Sequence, residues 1–292
     1  VQQAAGEMSL PVPTSVVSSS TREAQTLYRL ANSMGYELVR EFDWQALQTQ
    51  YIFQVAVSTI TATSTINSYN LTNCSSIAGI TSNYQISGLG INQATYVNGT
   101  PSGTTIPMSQ PATSSNTAAT YTLTQVKYAL PTDWDRQIDR THWDKSKHWE
   151  MLGPLTPQQW EWLISGYIST GPRVRYRIFG DLFQIWPALG VNEVLGFEYM
   201  TKNWARSTLG VAQSAFTADT DTCIFPDRLM VLGIKKKYFE VKGFGDIYTA
   251  DYSEQLSIAK ANDMGSQTLS FAPRPSSILI GWENIPDSFP NG

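Results

Sequence analysis

Residue types able to do chemistry are concentrated in "DRTHWDKSKHWEMLGPLTPQQW", Asp139 to Trp160, which holds both histidines of the chain, His142 and His148. His142, Asp144 and His148 are of the kinds that bind a first-row metal ion, and an H-x-D pair can present two ligands when extended. A third ligand would have to come from elsewhere. The spacing argues against such a site: there is no H-E-x-x-H and no EF-hand loop, and the separation of the histidines matches no standard zinc ligand set. Nor does the chain offer a G-x-S-x-G elbow for a serine nucleophile, or a P-loop or G-x-G-x-x-G turn for a nucleotide. Carboxylates such as Asp133 and Asp135 cannot be given acid and base roles without geometry. The expectation is therefore no catalytic residue, no metal and no cofactor. In that reading Trp134, Trp143, Trp149, Trp160 and Trp162 form a packed or interfacial aromatic cluster with the histidines as polar edges.

The elements that would position these residues are set out unevenly. From Trp44 to Val126, 83 consecutive residues carry no Asp, Glu, Lys, Arg or His. The 44 charged residues all sit in the remainder, at a density of roughly 21%, near the ~25% of an ordinary soluble domain. The uncharged text is Ser, Thr, Asn, Gln and Gly with single apolar residues between, punctuated by "NGT" and "PSG". Such a pattern predicts short strands joined by turns, with Ile60, Ile66, Leu71, Ile77, Ile80, Tyr84, Ile86, Ile91, Tyr96 and Val97 as a small core. Asn70, Asn73 and Asn98 each open an N-x-S/T triplet, which a segment of this composition produces by chance.

On either side the patterning changes. Ala24, Leu27, Tyr28, Ala31, Met34, Leu38 and Phe42 recur at three and four residues, one stripe of a helix capped by Ser20 or Thr21. "GPLTPQQWEWLISG" predicts a short helix with Thr156 as cap and Pro157 in its first turn. "RVRYRIFGDLFQIW" predicts a hairpin whose first strand turns Val174, Tyr176 and Ile178 to one side and Arg173, Arg175 and Arg177 to the other. "VLGFEYMTKNWA" reads as a further strand. The text from Asp219 to Asp263 reads as two helices broken near Gly243 and Gly245, with Lys235, Lys236 and Lys237 as an exposed basic turn. The end, "TLSFAPRPSSILIGWENIPDSFPNG", has four prolines and no helical period. Phe271, Ile278, Leu279, Ile280 and Trp282 there read as an arm seeking another surface, so these five and the three arginines are the expected partner interface.

Length and composition bound the rest. A chain of 292 residues, 41% hydrophobic, supports one large or two modest domains without disulfides, and Cys74 and Cys223 read as free thiols of a reducing compartment. The opening "VQQAAGEMSLPVP" lacks the basic start and apolar run of a secretion signal, and no stretch approaches ~18 apolar residues, so the sequence predicts a soluble, unexported chain without membrane contact. A net charge of −4 argues against gripping a phosphate backbone with the whole surface. The predicted fold is α+β, with a helical-bundle core and a β-hairpin in residues 1–57 and 122–265, an inserted all-β module in 58–121, and an extended C-terminal arm in 266–292.

Four phrases, "LANSMGYELVREFDWQAL", "GPLTPQQW", "FEYMTKNWA" and "DTDTCIFPDRLMVLGIKKKYFEVKGF", resemble in that order the head-to-tail adaptor (connector or tail-tube) proteins of short-tailed bacteriophages. The uncharged segment departs from the shortest members of that family and resembles small β modules spliced into phage surface proteins. The resemblance implies a structural virion protein, made in the bacterial cytoplasm and placed at the head–tail junction. It further implies a homo-oligomeric ring, typically of twelve, that meets the portal protein on one side and nozzle or fibre proteins of the tail on the other. DNA would pass through the ring without sequence-specific binding. The high aromatic content and Ser/Thr-rich segment leave a phage fibre or glycan-binding adhesin as the alternative, although no internal repeat is present.

Overall fold

In a computed structural model, residues 1–165, 173–245 and 247–264 are described. Among them are five helices, α1 (Gln2–Glu7), α2 (Arg22–Glu41), α3 (Pro157–Ser165), α4 (Asp227–Val241) and α5 (Thr249–Met264), against seventeen strands. The strands form antiparallel sheets that dominate the chain. The expected helical-bundle core is therefore corrected: this is a predominantly β protein, with its five helices a minor part of the chain. The misreading has a physical origin. Strands such as Trp143–Asp144, Trp149–Glu150, Ala205–Arg206 and Thr222–Cys223 are two residues long, too short for a period of two to register, whereas α2 and α4 announce themselves over four or five turns. The expected arm, 266–292, lies outside the described residues.

The described residues divide into two compact units. The first comprises Val1–Thr49, Thr132–Gln137 and the described residues from Tyr199 on. Its centre is α2, which buries Ala24, Leu27, Ala31, Met34, Gly35, Leu38 and Val39; of the stripe read from the sequence, Tyr28 is only half-buried and Phe42 lies just past the helix, while Gly35 and Val39 join the buried face. α2 packs on α4, and α4 packs on α1 and α5. Gly233 of α4 leaves room for the Met34 thioether, whose sulfur would lie 2.5 Å from a Cβ at that position. Lys235 is 6% exposed, and its ammonium lies 2.9 Å from Glu7 of α1 and 4.3 Å from the centre of the Tyr248 ring. Lys237 pairs with Glu37 of α2. Lys236 lies 4.9 Å from the centre of the Tyr252 ring of α5, so the lysine run expected as an exposed turn is inside a helix and each of its three members meets a neighbouring element.

Arg136 closes the C-terminal end of α2. Its guanidinium donates to the Val39 and Phe42 carbonyls at 3.2–3.4 Å and to Asp43 and Asp135 at 2.6 Å, so that carbonyls left over by the helix are met by a cation, which the dipole also favours. Arg136→Ala is expected to cost about 2 kcal/mol, because it takes a donor from the Val39 carbonyl, leaves the Phe42 carbonyl with only the Trp44 N–H, and unpairs two carboxylates. Urea unfolding measures this; an unchanged midpoint would show that the arginine is ornamental.

The second unit comprises Gln50–Pro131 and the described residues of Ile138–Glu198. The uncharged segment folds there as a six-stranded sheet, in the order Thr95–Tyr96, Tyr84–Gly88, Asn116–Gln125, Val57–Ser64, Asn70–Thr72, Ile106–Pro107. Alternation along the central pair, in register from Val57 with Thr124 to Ser64 with Asn116, sends Ile60, Ala62, Tyr121 and Leu123 to one core with Leu71, Ile86 and Ile106. The Tyr121 hydroxyl, inside that core, bonds Ser64 at 2.9 Å. A three-stranded sheet follows, Arg175–Phe179, Leu182–Trp186 and Lys127–Ala129 in order, with Gly180 supplying the positive φ of 58° that its hairpin turn demands. Among the described residues no helix is long and apolar enough to cross a membrane.

Candidate functional site

The hairpin in the second unit has two unlike faces. Tyr176 and Phe183 point into an aromatic core with Phe197, Phe53 and Tyr128, and His142 sits in the middle of it. The imidazole stacks on Tyr176 at 4.2 Å with 15° between the planes, and its Nδ1 is 3.1 Å from the Tyr176 hydroxyl. Burial pushes its pKa down from 6.5 to about 4 against the pull of Asp139, so it is neutral at neutral pH. Asp144 is buried too, with Oδ1 accepting from the backbone N–H groups of Ser146 and Lys147 at 3.0 and 3.1 Å. His148 is exposed, at a φ of 56°. Among the described residues no group of three or more His, Cys, Asp or Glu could hold a metal ion. His142 is a packing residue of the aromatic core.

The five tryptophans read as one cluster are dispersed. Trp134 stacks on Tyr199 in the first unit, Trp160 and Trp186 pack together with Ala94 and Leu163 in the second, and Trp162 is exposed.

The opposite face of the hairpin carries Arg175 and Arg177, with Gln184 and Trp186 directly across from them. It is not an open sheet face. α3 lies over it, held at its start by a reciprocal pair in which the Thr156 N–H donates to Gln159 Oε1 at 3.0 Å and the Gln159 N–H to Thr156 Oγ1 at 3.3 Å. Trp160 on α3 is thereby fixed above Arg177, whose guanidinium centre stands 4.7 Å from that ring and 4.9 Å from the ring of Phe179. Arg177 Nε–H donates to Gln184 Oε1 at 2.9 Å. Glu161 is the nearest carboxylate, 3.9 Å away and two-thirds exposed. Beside it Lys127 holds its ammonium 5.3 Å from the centre of the Tyr96 ring. Tyr96, Val126, Lys127, Trp160, Ile164, Arg177, Phe179, Gln184 and Ile185 together line a recess of about 150 Å³.

Burial acts on each titrating group there. It lowers the Lys127 pKa, with repulsion from Arg177 adding to the effect. It lowers Arg177, opposed by Glu161, and raises the Tyr96 phenol to about 12. Two cations are thus held where water solvates them poorly.

Of the arginines named from the sequence, Arg177 lies in this recess. Arg175 is on the same face, with one guanidinium nitrogen buried and without a hydrogen-bond partner among the described residues. Arg173 precedes the strand and is half-buried. Phe271, Ile278, Leu279, Ile280 and Trp282 lie outside the described residues. Lys127, Tyr96 and Gln184 are not singled out as binding residues by the sequence. Lys127 ends the uncharged run, a visible mark, but nothing in the sequence brings Tyr96 across to it. No family model matches the chain, and no curated protein matches it in sequence.

Proposed function

We propose that this chain is a structural virion protein of a short-tailed phage, forming a ring at the head–tail junction between the portal and the tail proteins, with DNA passing through its centre. One observation carries the reading. Three of the four phrases that resemble the adaptor family, separated by up to some two hundred positions, converge into a single packed core of the first unit. Gly35 of the first phrase lies against Trp204 of the third, Met34 against Gly233 of the fourth, and Trp44 of the first against Phe225 of the fourth at 5.2 Å between ring centres. Residues that resemble a family's and also pack on one another are the residues that would transmit its fold.

The reading asks for no reaction, only for two different complementary patches on each copy that close by rotation. Apolar surface is available for such patches: α5 buries Ala259 alone, while Ile258 and Met264 stand exposed. The test is negative-stain imaging of the purified chain with and without the portal protein of the same virus. The expected result is a closed annulus stacked on the portal, of about twelve copies if the resemblance extends to stoichiometry. A chain that stays monomeric and unattached in both samples would overturn the proposal.

A further inference from the structure

We infer that the recess between the arginine hairpin, α3 and the uncharged sheet binds the carboxylate of an acidic side chain presented by a segment of another protein, with an apolar neighbour of that side chain resting on Phe179. This site does not depend on the ring reading.

Charge comes first. Among the described residues the charged groups facing the recess are Lys127 from its strand, Arg177 from the hairpin and Glu161 from α3, and the uncharged sheet contributes none. Two cations against one carboxylate leave an excess of positive charge, and that carboxylate is 3.9 Å from Arg177 and mostly in solvent. Among the described residues Lys127 Nζ reaches only the Ser82 carbonyl, at 3.5 Å.

Geometry comes second. Among the described residues Arg177 makes one hydrogen bond, from Nε–H to Gln184; the Trp160 and Phe179 rings lie against its planar fork, and its terminal Nη1 stands 3.9 Å from the Glu161 carboxylate, beyond hydrogen-bond distance. A fork immobilised in advance loses little freedom when a carboxylate arrives, and it offers paired donors that a lysine cannot.

Size and surroundings choose the kind of ligand. A volume of about 150 Å³ falls well short of the roughly 300–1,000 Å³ of pockets that engulf cofactors or drug-sized molecules, and suits a single side chain. Phe179 on the rim is 60% exposed. A free small acid would leave that ring uncovered, whereas a peptide brings an adjacent apolar residue to it.

The full chain, labelled with ¹⁵N-tryptophan and ¹³C-lysine, is titrated in an NMR tube with N-acetyl-Leu-Glu-Leu-amide, with the same peptide carrying Gln for Glu, with sodium acetate and with inorganic phosphate. The Glu peptide is expected to shift the Trp160 indole and Lys127 signals saturably, and the Gln peptide to bind at least about tenfold more weakly, the worth of one charge-assisted contact. Lys127→Met should weaken the Glu peptide about tenfold as well. Arg177→Lys should do the same, and if that variant fails to fold the Lys127 variant decides alone. Acetate or phosphate shifting these signals at the same concentrations as the Glu peptide would make this a small-anion site and overturn the inference. Equal binding of the Gln peptide, or no shift with any probe, would overturn it too.

Discussion

Replacing Gly35 by alanine lowers the stability of the first unit by about 3 kcal/mol, although the same change in an exposed helix interior raises stability by roughly 1 kcal/mol. The reversal comes from one contact. A Cβ at Gly35 would stand 2.2 to 2.5 Å from three carbons of the Trp204 indole, and real carbons do not approach so closely. Trp204 is fully buried and has no room to retreat, because Phe216 stands edge-on to it at 4.7 Å. α2 or the indole must move, and either movement opens packing that α4 now fills. Thermal unfolding should show the loss as a fall of roughly 6–12 °C in midpoint. In combination with Trp204→Leu the added cost of the alanine should shrink, since the obstructing ring is gone. A Gly35→Ala chain at least as stable as the parent would mean that the helix does not pack as described.

Between neutral and mildly acid solution the second unit loses on the order of 3 kcal/mol through His142 alone. In the folded chain this imidazole takes up a proton only near pH 4, and in the unfolded chain near 6.5. Between those values the unfolded state binds more protons than the native one, so stability rises with pH across the window, is complete above about 6.5, and is lost as pH falls toward about 4. The cause is desolvation: a charged ring would lie among Tyr176, Phe183 and Phe197, with Nε2 buried and without a hydrogen-bond partner among the described residues. Asp144 acts with the opposite sign, since burial raises its pKa and its protonation favours the fold at the acid end. His142→Phe keeps the stacked ring and removes the titration, so the difference between parent and variant in urea unfolding at about pH 7 and about pH 4 isolates the histidine. An equal loss in both chains would place the acid sensitivity elsewhere.

These two residues show how far the sequence can be read. The stripe from Ala24 to Phe42 marks α2 to within two residues at either end, and "LTPQQW" marks both α3 and its cap, because helical period and capping chemistry are local. The uncharged strands are legible for the same reason, as β-branched runs between turn signals. What fails is long-range. Lys235 looks like a solvated cation until α1 places Glu7 beside it, across 228 positions of sequence, and a six-residue helix reading "QQAAGE" gives little warning of itself. Arg177 is recognisable as a binding candidate, but on an open strand face. Its enclosure by Trp160 and Tyr96 is a matter of which loops pack over which strands, and no periodicity records that. The helical bundle is the natural misreading because helices advertise themselves and two-residue strands do not.

The bare run from Trp44 to Val126 also has a practical side. Trypsin meets no cleavage point between Arg40 and Lys127, acid-directed proteases find nothing between Asp43 and Asp133, and amine-reactive reagents have no lysine to modify anywhere in the six-stranded sheet. In footprinting by lysine labelling or charge-directed digestion this whole domain-sized stretch would return a blank, whatever touched it, so contacts made by its strands must be sought through tyrosine, cysteine or backbone-amide probes instead.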